Sequence, residues 1–217
     1  MNRLKIVFAV LVLIAFSASA AAAGEAGDIH YGLKAGVNIS TAYAEGGRLN
    51  MYTGGIGGVF MNYHLSRVFQ VQPEVLFSMK GWKEEAAGIT LTNKINYIDI
   101  NLLLKLVIPS EKMVQSSFGI GPYIGIKASD SYEFDVPVPD VVNEAMDTIY
   151  ENLKSTDLGI VFSGEVDVVL ENGGMVILDF RGFVGLQNLV EEITVGDATF
   201  QTDLKMIGVQ FMAGYAF

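Results

Sequence analysis

Cysteine is absent from the 217-residue chain. That excludes disulfide frameworks, thiolate metal sites and thiol nucleophiles. Histidine is nearly absent, with only His30 and His64. Proline is rare (5) and glycine frequent (24), which suits twisted strands and tight turns and excludes a collagen-like or disordered chain. Basic residues are also few: 14 Lys and Arg stand against 24 Asp and Glu, a formal net charge of −10. A nucleic-acid partner would need a basic surface, so none is expected. Long apolar runs are missing except at the N-terminus, although 51% of the residues are hydrophobic.

The N-terminal exception reads as a secretory signal. Arg3 and Lys5 precede an apolar run of 11 residues, Ile6 to Phe16, and then the small residues Ala18-Ser19-Ala20 and Ala21-Ala22-Ala23. Eleven residues make about 16 Å of helix, too short for a bilayer core of about 30 Å. Residues 1–23 are therefore expected to be cleaved, leaving one domain at 24–217. Losing Arg3 and Lys5 takes the net charge from −10 to −12.

Without a second apolar run, any membrane crossing must use strands. The segment from Tyr31 to Ser40 alternates for ten residues, with Tyr31, Leu33, Ala35, Val37 and Ile39 on one face. Gly32, Lys34, Gly36, Asn38 and Ser40 lie on the other. Such period-two alternation marks a strand with different solvents on its two faces. The pattern predicts seven more strands, at about 54–65, 68–80, 95–107, 116–127, 158–169, 175–186 and 205–217. Leu76 is an apolar exception on the polar face of the third.

The sense of the alternation distinguishes a soluble barrel from a membrane one. The polar faces carry five bases, Lys34, Lys80, Lys105, Lys127 and Arg181, and five acids, Glu74, Asp99, Glu165, Asp167 and Asp179. The apolar faces carry no charge in the strand interiors. A bare apolar exterior would aggregate in water. A charge on a lipid-facing wall costs about 2–4 kcal/mol near the midplane, and an eight-stranded interior is filled by its own side chains. The expected fold is all-β: an eight-stranded antiparallel up-and-down transmembrane β-barrel, with the ten charged residues as a lumen network.

The connections fit that fold. Short ones are expected near 66–67, 109–111 and 171–174, and long ones at 41–53, 81–94, 128–157 and 187–204. Short turns on one rim and long loops on the other mark such barrels. In the third long loop, Val142, Ala145, Met146, Ile149 and Leu153 recur at helical spacing, so a short amphipathic helix is expected over 140–154, with Asp140 as N-cap and Lys154 in the last turn. Tyr31, Tyr63, Phe69, Phe118, Tyr215 and Phe217 fall at strand ends on the short-turn side, as an interfacial aromatic girdle would. Pro73 and Pro122 lie inside strands and lack a ladder N–H, so local bulges are expected there.

Several stretches resemble the PorT-like outer-membrane β-barrel family, related in architecture to the OmpA/OmpX-type barrels. They are Tyr31–Asn38 (YGLKAGVN), Val71–Gly81 (VQPEVLFSMKG), Tyr97–Lys105 (YIDINLLLK), Gly119–Gly125 (GIGPYIG), Arg181 and the closing Gly214–Phe217 (GYAF). The resemblance implies a bacterial outer-membrane location in contact with outer-membrane lipid. It implies that Pro73 and Pro122 are tolerated, and that Phe217, with Tyr215, is an assembly signal read by the barrel-assembly machinery. Asn101, where the family usually has Pro, and the long acidic third loop depart from the pattern.

Little chemistry is available. His30 and His64 both fall at the short-turn rim, so an outer-membrane lipid-modifying enzyme is only a distant alternative. No catalytic residue, metal site or cofactor is expected. Asp130, Glu133, Asp135, Asp140, Glu144, Asp147, Glu151 and Asp157 crowd the third loop region, and Glu191, Glu192, Asp197 and Asp203 the fourth. The expected function is a structural or surface-interaction role through these acidic loops, with an extracellular partner or a divalent cation as candidate ligands. The alternative is a narrow small-solute pore, with Gly32, Gly36, Gly119, Gly121 and Gly125 leaving gaps in the lumen.

Overall fold

The computed structural model describes residues 29–44, 47–86, 88–108, 114–171, 174–190, 193–195, 198–200 and 204–217. The expected signal, residues 1–23, lies outside them.

Each alternating segment forms a strand: β1 (Ile29–Ala44), β2 (Asn50–His64), β3 (Phe69–Ala86), β4 (Ile89–Ile108), β5 (Val114–Phe134), β6 (Thr156–Val169), β7 (Met175–Gly185) and β8 (Lys205–Ala216). Each pairs antiparallel with its neighbour in sequence, and β8 pairs with β1 from Gly32↔Ala216 to Tyr43↔Lys205. The sheet is thus a closed up-and-down barrel of eight long strands, without a free edge through that ring. Two-residue and three-residue strands at Gly47–Arg48, Ile193–Val195 and Ala198–Phe200 decorate the long-loop rim.

Burial follows the pleat. On β7, Met175, Ile177, Asp179, Arg181, Phe183 and Gly185 point inward, while Val176, Leu178, Phe180 and Val184 stand exposed. The inversion of the usual rule, charge inside and large apolar groups outside, is what a lipid solvent selects. Leu76 is no misfit: it packs inside the lumen against Ile56 and Met212.

The strands differ greatly in length. β7 has 11 residues and β8 has 12, whereas β3, β4 and β5 have 18, 20 and 21. A tilted strand needs only about 9–11 residues to cross a bilayer. β3, β4 and β5 therefore continue past the membrane as a three-stranded sheet, paired up to Ala86↔Ile89 and Leu91↔Phe134. This corrects the expected loops at 41–53 and 81–94, which are mostly strand. Above the bilayer the outward face of a strand meets water instead of lipid, so the alternation that betrays a strand weakens there.

The prolines also differ from expectation. Register is the same on both sides of each, Phe60↔Glu74 and Tyr63↔Val71 around Pro73, Asn101↔Tyr123 and Leu104↔Ile120 around Pro122. Each proline interrupts one ladder and adds no residue to it. The bulges lie elsewhere, between Met51 and Ile56 and between Asn96 and Tyr97.

Close backbone approach demands glycine at Gly36. A Cβ there would stand 1.8 Å from the Phe211 carbonyl oxygen and 2.7 Å from Met212 Cα, both of the closing strand β8. Gly36→Ala is expected to destabilise the barrel by about 1–3 kcal/mol, the usual cost of overpacking. A lowered urea midpoint for the refolded protein would show it, and an unchanged midpoint would contradict the closeness of this contact.

The third loop carries helix α1 (Asp140–Glu151). It starts at Asp140, with the Pro139 carbonyl accepting from Val142 N–H at 2.9 Å. It stops short of Lys154, which lies outside its last turn. Leu153 instead makes an isolated bridge to Val190, and its side chain is buried.

Candidate functional site in the lumen and at the outer rim

The lumen is layered. Near the short-turn end, Phe60, Met175, Ile177 and Ala216 form an apolar floor. Above it lies the first charge layer. Arg181 donates through Nη1 and Nη2 to both oxygens of Glu74, at 2.5 and 2.6 Å. It also donates through Nε and Nη2 to Asp179, at 2.9 and 2.5 Å. Lys34 Nζ lies 2.5 Å from Glu74 and 2.8 Å from Asp179, with the Phe60 ring centroid 4.8 Å away. Lys105 donates to Gln72 at 2.7 Å and to Glu165. Asn101 donates to Glu74 at 3.0 Å. All of these side chains are buried. Charges so removed from water persist only when paired and hydrogen-bonded, and the fork of Arg181 supplies both for two carboxylates at once.

The second layer sits closer to the outer rim. Lys80 Nζ lies 3.1 Å from Asp99 and 3.5 Å from Asp157. It also stands 4.5–4.9 Å from the ring centroids of Tyr97, Tyr123 and Phe183, an aromatic cage that the ammonium enters by cation–π attraction. Tyr123 donates its hydroxyl to Asp157 at 2.8 Å.

A hydrophobic cap closes this end. Leu153, Leu189 and Leu204, from the third and fourth loops, are buried against Trp82, Ile95, Tyr97, Phe183 and Met206 of the wall. Backbone bonds fix the loops in place: Lys154 N–H to the Leu189 carbonyl and Leu189 N–H to the Leu204 carbonyl, both 2.8 Å.

The structure brings Lys34, Glu74, Lys105, Glu165, Asp179 and Arg181 together, with Asp167 beside Glu165, and sets Lys80 and Asp99 in the second layer. Lys127 is apart from them. It lies at the outer rim, part-exposed, 2.8 Å from Asp130. Asp157, expected in the acidic loop, is instead fully buried in the lumen. Its signal was in the sequence: Asp157, Gly159 and Val161 continue the inward face of β6. Tyr97 and Tyr123 likewise continue the inward faces of β4 and β5, whereas Trp82 lies in a stretch expected to be a loop and carried no such signal. Of the two residues expected as an assembly signal, Phe217 is exposed beside Tyr31, with ring centroids 6.4 Å apart, and Tyr215 packs on Phe217 at 5.1 Å. Tyr31, Phe69 and Phe118 are exposed on the same rim.

Outside the membrane, the β3–β4–β5 extension holds α1. Tyr150 donates to Asn93 at 2.7 Å, and Tyr132 to Asp147 at 2.8 Å. The bond to Asp147 raises the Tyr132 hydroxyl above its ordinary pKa, and burial raises that of Tyr150. Lys94 and Glu133 pair at 2.5 Å, which raises the lysine and lowers the carboxylate. Asp135 accepts from Thr90 N–H at 2.9 Å. Several loop acids thus hold the platform together. Glu191, Glu192, Asp197 and Asp203 lie outside the described residues. Among the described residues no three His, Asp or Glu side chains gather to hold a metal ion.

The family described as outer membrane protein beta-barrel domain matches residues 17–191. No curated protein matches the sequence. Solved structures with a similar course include Neisserial surface protein A, at 10% identity over 88% of this chain and 100% of that one, TM-score 0.49. OprG from Pseudomonas aeruginosa is similar at 11% identity over 89% and 98%, TM-score 0.46. The attachment invasion locus protein Ail of Yersinia pestis is similar at 12% identity over 88% and 100%, TM-score 0.42. The family match covers most of the barrel, and the inverted faces of the strands are those a membrane demands. The chain belongs to the outer membrane protein beta-barrel domain family, and it is a closed eight-stranded barrel of the bacterial outer membrane.

Proposed function

We propose that the protein is a non-enzymatic outer-membrane barrel whose role is structural or lies in surface interaction through its acidic extracellular platform. The observation that carries this reading is the layered filling of the lumen. Two charge layers and the Leu153–Leu189–Leu204 cap occupy the space a solute would need, while β3, β4 and β5 rise past the bilayer and carry an ordered helix. Eight strands leave an interior just wide enough for side chains. The ligand of the platform is an extracellular partner, or a divalent cation bridging it to one. Within the family, the PorT-like motifs favour placing the chain in that branch. Phe217 then serves the barrel-assembly machinery, and the exposed apolar belt meets outer-membrane lipid.

Planar-bilayer recording tests the closed lumen. The refolded protein is expected to be silent, and deleting 187–190 with Leu153→Ser to raise conductance. Steady conductance by the unaltered protein would favour the small-solute pore. Crosslinking through the third loop on intact cells tests the interaction role, and capture that is unchanged when the platform is replaced by a short turn would remove it.

A further inference from the structure

His30 and His64 are the only histidines of the chain, and the fold sets them side by side. They lie on the neighbouring strands β1 and β2 at the short-turn rim, which faces the periplasm in barrels of this kind. The pleat directs both toward the lumen. His30 precedes Gly32 and Lys34 on the inward face of β1, and His64 follows Phe60 and Asn62 on that of β2. Their ring centroids are 5.9 Å apart, with the planes at 79°. Both residues are half-buried, so the mouth of the lumen gives access to them.

Two amides complete the cluster. Asn62 stands directly opposite His30 in the β1–β2 ladder and two residues before His64 on the same face. It is 1% exposed, and its Oδ1 has no hydrogen-bond partner among the described residues. A buried oxygen left in that condition is costly. Gln70 of β3 is opposite His64 in the β2–β3 ladder, with its Nε2 3.3 Å from the imidazole Nε2. Turning the Gln70 amide over brings its oxygen there instead. The oxygen then accepts the Nε2–H and leaves His64 Nδ1 to a ligand, the support usual for a metal-bound histidine.

We infer that His30 and His64 bind one transition-metal ion, zinc, at the periplasmic mouth of the lumen, with Asn62 Oδ1 and water as further ligands. The ring separation suits a shared ion. An imidazole nitrogen binds zinc at about 2.0–2.1 Å and lies about 1.1 Å from its ring centre, so two ligating rings stand roughly 5–6 Å apart as the angle at the metal opens from tetrahedral. The observed 5.9 Å falls within that range, and side-chain rotation alone can close the pair on an ion. Imidazole selects zinc, copper and nickel, whereas calcium and magnesium prefer oxygen ligands throughout. Among the described residues no third imidazole or carboxylate joins the pair, so the site keeps open positions, unlike a closed structural centre. The inference is independent of the proposed surface role, which concerns the opposite rim.

The test titrates zinc into refolded protein that carries no affinity tag, in competition with a chromogenic chelator. One zinc per barrel is expected, bound at least about tenfold more tightly than by His30→Asn or His64→Asn, because the second imidazole ligates intramolecularly. Zinc should raise the urea midpoint of the parent and leave both variants unchanged, since the pair exists only in the folded barrel. Copper(II) serves as a spectroscopic probe: spin-echo modulation should show two coordinated imidazoles in the parent and one in each variant. Heat-dependent gel mobility checks that the variants fold. Should one fail, the other variant and the copper spectrum of the parent carry the comparison. Absence of zinc binding, equal affinity in the parent and both variants, or loss in only one variant would overturn the inference. So would a single coordinated imidazole in the copper spectrum of the parent.

Discussion

Replacing Arg181 with methionine is expected to destabilise the folded barrel by about 3–5 kcal/mol, the usual cost of removing one partner from a buried charge cluster. The guanidinium reaches Glu74 through two nitrogens and Asp179 through two contacts, and it is fully buried. Methionine fills similar space but leaves two buried carboxylates sharing Lys34. Water cannot easily replace the lost donors beneath the cap and above the Phe60 floor. Urea unfolding monitored by heat-dependent gel mobility would measure the change. Adding Glu74→Gln to Arg181→Met should restore a large part of the loss, because the charge count of the layer then returns to its starting value. A single variant as stable as the parent would mean that the layer is well hydrated.

The second large effect is on the outer wall. Phe180 is half exposed on β7, with its ring centroid 4.9 Å from that of Phe211 on β8. Phe180→Arg is expected to cost about 2–4 kcal/mol, because the guanidinium faces hydrocarbon near the middle of the bilayer. Its neighbour Arg181, one residue on, carries the same group at no such penalty because the pleat turns it inward. The two substitutions therefore test opposite faces of one strand. Glu85→Arg, at the exposed end of the extracellular sheet, should change stability by no more than about 0.5 kcal/mol. Refolding yields into lipid vesicles and urea midpoints would separate the three variants. A Phe180→Arg barrel that inserts and resists urea like its parent would place this wall in water.

The parts of the fold that were legible in the sequence are those where two solvents meet one strand. β6, β7 and β8 sit close to their expected limits because lipid and a polar lumen imprint alternation on nearly every residue. Residues 81–94 were illegible because Lys83, Glu84, Glu85 and Lys94 meet water on both sides, and a two-sided polar strand has the composition of a loop. The same blurring exchanged two charges. Lys127 follows the inward pattern of β5 but stands at the height where the lumen ends, so it turns to Asp130. Asp157 precedes Leu158 at a position that composition assigns to a loop, yet the first turn of the pleat carries it inside. Among the described residues, the expected balance of five bases and five acids thereby becomes four and six. The cap was beyond reach because Leu153, Leu189 and Leu204 are isolated apolar residues in polar loops, and nothing local shows that they converge.

The absence of cysteine makes the central claim directly testable, since any introduced thiol is the only one in the chain. Glu85→Cys at the tip of the extracellular sheet and Arg67→Cys in a short turn can be exposed to a membrane-impermeant maleimide on intact cells. The account predicts that the Glu85→Cys protein is labelled at once, and the Arg67→Cys protein only after the outer membrane is opened. Labelling of both on intact cells, the reverse pattern, or recovery of both unlabelled proteins in the soluble periplasm would contradict it.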